Sequence, residues 1–211
     1  MDRKTIKACE KFLKRELPFN EAEAHLWIGL DGNRKEEVEP IYQTIGEICL
    51  ENGALDVLVA EDRPNRDKIW QTRQSIREAL VKVSSTMSDE DVVVPRSKIL
   101  LLLKGVNEIS GRYSLSIAKF GHLGDGNIHL NILKEDVDNA QWKISESRTV
   151  KEIFDLVLSL GGLISGEHGI GLAKKKYLDL AVDAAQIKVM KGIKRVFDPN
   201  NILNPGKIFD L

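Results

Sequence analysis

Cysteine is nearly missing from this chain: Cys9 and Cys49 are the only two in 211 residues. Two thiols outside any CxxC spacing exclude a disulfide framework and point to a reducing, cytoplasmic setting. Long apolar runs are missing as well. Ile99 to Leu103 is a short core segment, far below the roughly 18 residues of a membrane span, so contact with a membrane would be peripheral at most. Excess charge of either sign is absent, since 31 basic against 32 acidic residues leave −1. That balance excludes a global attraction to nucleic acid or anionic lipid. No strand is followed by GxGxxG and a helix, which argues against an intrinsic Rossmann nucleotide site. The opening Met1-Asp2-Arg3-Lys4 leads into an amphipathic helix and not a signal peptide. Lys174-Lys175-Lys176 reads as a solvated turn.

What is present is an alternation of periods. Helical spacing covers 2–15, 36–51, 65–83, 97–110, 138–160 and 183–197. Pro40 is tolerable in the second of these only within its first turn, where a missing N–H costs nothing. Strand patterns cover Ala24 to Leu30, Leu55 to Ala60, Val92 to Pro95, Leu115 to Phe120 and Ile128 to Leu133. Two rounds of strand, helix and strand predict an α+β fold, an antiparallel sheet covered by helices on one face. A duplicated ferredoxin-like arrangement is one form of it. No linker or low-complexity segment divides the chain, so 1–211 is expected as one domain.

Histidine is scarce too, yet three of the four histidines fall in two glycine-rich clusters. The first is Gly121-His122-Leu123-Gly124-Asp125-Gly126-Asn127-Ile128-His129-Leu130-Asn131. The second is Ser165-Gly166-Glu167-His168-Gly169-Ile170-Gly171. The glycines let the chain bend back and bring His122 and His129 together. Strand alternation sets Asn127, His129 and Asn131 opposite Ile128, Leu130 and Ile132. That polar row can line a cavity, or it can be a solvated outer face. Glu167 adds a hard oxygen to two nitrogens, a set that suits Zn²⁺, Fe²⁺ or Mn²⁺ with coordination positions open. His168 is either a third ligand or a general base. Glycine-rich loops also form anion nests, and Asp125 is either a ligand or part of the Asp-Gly turn. His25, within an apolar strand, reads as a packed or edge residue. Arg73 and Arg77 share a helix face and can bind a carboxylate, or form a solvated basic stripe.

These two clusters, with Asp198-Pro199-x-x-Ile202-Leu203-Asn204-Pro205-Gly206-Lys207, Trp70-x-x-Arg73, Val94-Pro95-Arg96 and the opening Met1-Asp2-Arg3, resemble the C-terminal domain of FAD-linked 2-hydroxyacid oxidoreductases. That group includes D-lactate dehydrogenases, the glycolate oxidase flavin subunit and D-2-hydroxyglutarate dehydrogenase. The motifs occur in matching order over essentially the whole chain.

The resemblance implies a substrate-binding cap over FAD held by a separate N-terminal domain. Met1 then corresponds to an internal residue of a longer protein, and this chain alone would be inactive. By the same resemblance, His122, His129 and Glu167 are metal ligands for Zn or Fe, and His168 is the catalytic base. Arg73 and Asn131 contact substrate, with Arg77 beside them, and Asn204 packs near the flavin. The implied reaction takes a small D-2-hydroxyacid to the 2-oxoacid: the metal polarises the α-hydroxyl, His168 removes its proton, and hydride passes to the flavin. Relatives acting on 2-hydroxyglutarate carry a lysine shortly before the Val-Pro segment. Here Ser88-Asp89-Glu90-Asp91 stands there, which would repel a second carboxylate unless Arg77 compensates, and favours lactate or glycolate. The electron acceptor is left open among a quinone, a cytochrome, an electron-transfer flavoprotein and oxygen. Two other classes compete, a stand-alone metal hydrolase and a non-catalytic docking module.

Overall fold

The segments with helical spacing form helices throughout the computed structural model, which describes every residue except Asn20. Two units emerge, Met1–Ser85 and Thr86–Leu211, where the sequence suggested no internal division. The first holds α1 (Arg3–Leu13), α2 (Lys35–Glu51) and α3 (Arg63–Val83). Asp2 caps α1 by accepting from the Thr5 N–H, and Asp62 caps α3 by accepting from the Asn65 N–H; such caps satisfy donors that a helix start leaves open. Ile6, Ala8 and Cys9 of α1 are buried, as are Ile76, Ala79 and Leu80 of α3, and the two helices pack together. Burial pushes the Cys9 thiol up to about 11, which makes it an inert packing group. Pro40 is the sixth residue of α2 and therefore lies beyond the first turn, contrary to the sequence expectation, so it removes one intrahelical hydrogen bond.

Ala24 to Leu30 and Leu55 to Ala60, expected as strands, belong to no strand. Only an isolated bridge joins Asp2 to Ala24. The reason is visible in the exposure of Leu26, Ile28 and Leu30, at 56%, 48% and 38%: the alternation has no core to bury and no ladder to join. Without those strands, the second copy of a duplicated ferredoxin-like fold is not formed among the described residues.

The second unit carries the sheet, and there the α+β expectation holds. Its order is β1 (Met87–Val93), α4 (Ile99–Tyr113), β2 (Ser116–His122), β3 (Asn127–Leu133), α5 (Asn139–Ser159), α6 (Leu178–Ala181) and α7 (Ala184–Phe197). The strands stand in the order β1-β3-β2, both pairings antiparallel. Val92, Ile117, Ile128, Leu130 and Ile132 point to one face, where they meet Leu102 and Val106 of α4 and Ile153, Phe154 and Val157 of α5. β1 begins well before the expected Val92, so the run Ser88-Asp89-Glu90-Asp91 is part of a strand and not a loop. Asp198 ends α7: its carboxylate accepts from the Ile202 and Leu203 N–H groups and pairs with Lys194. That is the structural content of the Asp198-Pro199 motif. Among the described residues, no helix is long and apolar enough to cross a membrane.

Candidate metal centre

β3 is the middle strand, and all seven of its residues are buried. The period of two places Asn127, His129 and Asn131 on the face that α4 and α5 do not cover. The hairpin between β2 and β3 returns the chain through a tight turn, in which Gly126 adopts φ +75° with its Cα so close to Val94 that a Cβ would lie 2.0 Å from the carbonyl oxygen. Only glycine fits there. The hairpin therefore sets His122 and Asn127 side by side in the ladder.

One ligand atom from each of His122, His129 and Glu167 lies within 4.8 Å of the others. His122 Nδ1 is 2.8 Å from Glu167 Oε1, and His129 Nε2 is 4.0 Å from Glu167 Oε2. Bonds of about 2.0–2.1 Å to a zinc-sized ion require ligand atoms roughly 3–3.5 Å apart. The trio is thus within a small side-chain adjustment of a coordination shell, and its two nitrogens and one oxygen are the donor set expected from sequence. His129 is the buried member, and burial lowers its pKa against the opposing pull of Asp91 and Glu167. A neutral imidazole with a free lone pair is the form that binds a metal. His122 and Glu167 are partly exposed, so the centre has one walled side and one open side.

His168 stands next to this trio. Its ring stacks on His129 with centroids 5.4 Å apart, and it is exposed. Asn131 is 1% exposed, and its Oδ1 has no hydrogen-bond partner. A buried acceptor left open costs free energy unless something completes it. Asp125 makes the hairpin turn through its N–H to the His122 carbonyl and lies outside the ligand trio. Arg73 and Arg77 belong to the first unit, on α3, half-buried and exposed respectively. Asn204 is exposed at φ 49°, and its Oδ1 accepts from Lys207. His25 is half-buried against the Phe19 carbonyl, which agrees with the packed reading.

The residue missed in the sequence is Asp91. It pairs with His129 across β1 and β3 and is fully buried. Its Oδ2 accepts from the backbone N–H groups of Gly166, Glu167 and His168 at 2.9, 2.7 and 2.8 Å. Ser165 Oγ donates to the same oxygen at 3.2 Å, and Asn127 Nδ2 donates to Oδ1 at 2.6 Å. Burial opposes its ionisation, but these donors and Lys174 outweigh burial and hold the carboxyl far below the usual range. The glycine-rich loop is thus an anion nest, and its anion is the chain's own. Lys174 corrects a second expectation. It is not a solvated lysine: it is 4% exposed and donates to the carbonyls of Asp91 and Ile164, each at 2.8 Å.

The acidic run also reads differently in three dimensions. Glu90 faces the core side with Ser88, Asp91 is buried and held by its donors, and of the three acids only Asp89 is exposed, on the face that carries His129.

Comparison with known proteins identifies the family. Residues 1–208 match the family described as FAD linked oxidases, C-terminal domain. The chain is 36% identical over 213 residues to a D-lactate dehydrogenase of Anaerostipes hadrus, covering 99% of this chain and 45% of that protein. It is 38% identical over 209 residues to glycolate oxidase subunit GlcD of Bacillus subtilis, covering 99% and 44%. A D-2-hydroxyglutarate dehydrogenase of Stutzerimonas stutzeri is 39% identical over 167 residues, 77% of this chain and 36% of that protein. The chain spans less than half the length of each of these relatives. The family match runs across both structural units, and this chain belongs to the FAD-linked oxidase C-terminal domain family.

Proposed function

We propose that this chain is the substrate- and metal-binding part of a FAD-dependent oxidoreductase that converts a small D-2-hydroxyacid, of lactate or glycolate type, to the 2-oxoacid. The observation that carries the reading is the His122, His129 and Glu167 trio with His168 stacked against it. Zn²⁺ or Fe²⁺ held by that trio would supply Lewis acidity, and FAD on a separate FAD-binding domain would supply the two-electron acceptor. The chain's own residues do the rest. Arg73 pairs with the substrate carboxylate through two parallel hydrogen bonds, with Arg77 one turn away on the same helix. Asn131 Oδ1, buried and open, accepts a hydrogen bond from substrate. His168 Nε2 or Nδ1 takes the α-hydroxyl proton, and its exposed edge lets it pass that proton to water. Asp89 disfavours a second carboxylate, which is the basis for preferring a monocarboxylate. Asn204 meets the flavin side, and the reduced flavin passes its electrons to a separate acceptor.

The test combines composition and chemistry. About one Zn or Fe per chain by elemental analysis, lost in His129→Ala and in Glu167→Ala, supports the centre. With a FAD-binding domain supplied, D-lactate or glycolate should bleach the flavin, and His168→Gln should slow bleaching by about 10²–10⁴-fold. Bleaching unaffected by His168→Gln, or metal-dependent hydrolysis by the chain alone, refutes the reading.

A further inference from the structure

We infer that Asp91 is the positioning residue of the metal centre: its carboxylate fixes the loop that presents Glu167 and His168 to His129. The inference rests on the functional reading above and extends it to a residue that touches neither metal nor substrate. Glu167 and His168 come from an exposed loop with no helix or strand of its own. Such loops hold their side chains loosely unless something anchors the backbone. Here three successive N–H groups, those of Gly166, Glu167 and His168, converge on Asp91 Oδ2. The anchor itself sits in regular structure, because Asp91 lies in β1 opposite His129, paired with the middle strand. One buried carboxylate thereby references two loop residues and one strand residue to the same point.

The surroundings are shaped for this contact. A Cβ on Gly166 would stand 2.1 Å from Asn127 Nδ2 and 2.9 Å from Asp91 Oδ1, so a side chain at 166 would push the loop backbone off the carboxylate. Lys174 ties the downstream end of the loop to β1 through the Asp91 carbonyl and to the loop's upstream end through the Ile164 carbonyl. Its ammonium is 4.0 Å from Asp91 Oδ2 and offsets the buried charge. His129 Nδ1 is 4.0 Å from Asp91 Oδ1, so the same negative charge also faces the ring nitrogen remote from the trio. At that distance the carboxylate acts on the ring by charge, raising its basicity, and loss of a group that supports metal ligands costs about 10–100-fold in metal affinity.

Co²⁺ alone is the probe, titrated into the full chain as wild type, Asp91→Asn, Asp91→Ala and Val157→Ala. Asp91→Ala is expected to weaken Co²⁺ by about 10–100-fold and to change its visible absorption bands, because Glu167 is no longer held in the shell. Asp91→Asn should fall between: its amide oxygen can still accept the three N–H groups, but only if Asn127 turns its amide over, and the charge is lost. Val157→Ala, a fully buried core change on α5, should lower stability while leaving affinity and spectrum as in wild type. Without any ion, the amides of Gly166, Glu167 and His168 should exchange faster in Asp91→Ala than in Val157→Ala. Wild-type affinity and spectrum in both Asp91 variants overturn the proposal while leaving the metal centre standing. Absence of Co²⁺ uptake by the wild-type chain is a separate result, which removes the metal centre and this proposal together. Should Asp91→Ala fail to fold, the isosteric Asp91→Asn decides by the same two readouts.

Discussion

Glu90→Gln is expected to stabilise the second unit in mild alkali and to leave it nearly unchanged in mild acid. Glu90 is 7% exposed on the core side of β1. Burial, opposed by Ser88 and Lys174, pushes its carboxyl from the ordinary 4.5 up to about 7. Between those values the folded chain binds a proton that the unfolded chain has released, so stability falls as pH rises through the window and the loss is complete above it. At about 1.4 kcal/mol for each pH unit of separation, the loss amounts to about 3 kcal/mol. The hydrogen bonds tell the same story. Ser88 Oγ lies 2.9 Å from Glu90 Oε1 and 2.8 Å from Glu146 Oε1, yet a hydroxyl has one proton and serves one carboxylate. A protonated Glu90 donates to Ser88, which then donates to Glu146; a glutamine amide does the same at every pH. The remaining oxygen, Glu90 Oε2, is buried without a partner, which an ionised carboxylate tolerates poorly. Urea denaturation would follow Trp142 in a chain whose Trp27 and Trp70 are replaced by phenylalanine, so that only the second unit is read. The gain from Glu90→Gln should be about 3 kcal/mol near pH 8.5 and below about 1 kcal/mol near pH 5. An equal effect at both pH values would refute burial as the cause.

Two further outcomes follow from packing. Phe154→Ala should cost about 3–5 kcal/mol in the same denaturation experiment, since this α5 ring is fully buried in the core against Tyr177; a cost below about 1 kcal/mol would mean that the core collapses to fill the space. Gly126→Ala should cost at least about 2 kcal/mol, combining a left-handed backbone with a clash against the Val94 carbonyl. It should also reduce metal uptake, because His122 and His129 flank that turn; thermal melting beside elemental analysis would reveal an undisturbed hairpin if neither changes.

Much of the site was readable from order along the chain. Alternation along Asn127 to Leu133 identified both faces of the strand, because a middle strand with one core face has little freedom to differ. The glycines around His122 gave the hairpin, and the Glu167-His168 loop gave the carboxylate and the stacked imidazole. Asp91 was hidden by its neighbours: within Ser88-Asp89-Glu90-Asp91 each acid looks equally solvated, and only the pairing with His129 shows that one is buried beneath a nest, one faces the core and one faces outward. Lys174 was hidden in the same way among three lysines. A buried charge has no local signature, since its partners come from elements far away in sequence. The failed strands at Ala24 to Leu30 and Leu55 to Ala60 teach the complementary lesson. Their alternation is genuine, but alternation alone forms no ladder without a partner strand.

The central position of β3 has a consequence for how this protein can change over evolutionary time. Its seven buried residues alternate between the face that carries His129 of the candidate trio and the packed interior. A substitution that reshapes Ile128, Leu130 or Ile132 shifts the backbone that carries Asn127, His129 and Asn131, and close packing transmits even small shifts. The two faces cannot drift independently. Change in the chemistry of that face would therefore find its raw material off this strand, at exposed positions such as Asp89, where a side chain can be exchanged without disturbing the interior. Innovation is confined to the rim while the middle strand is held by two constraints at once.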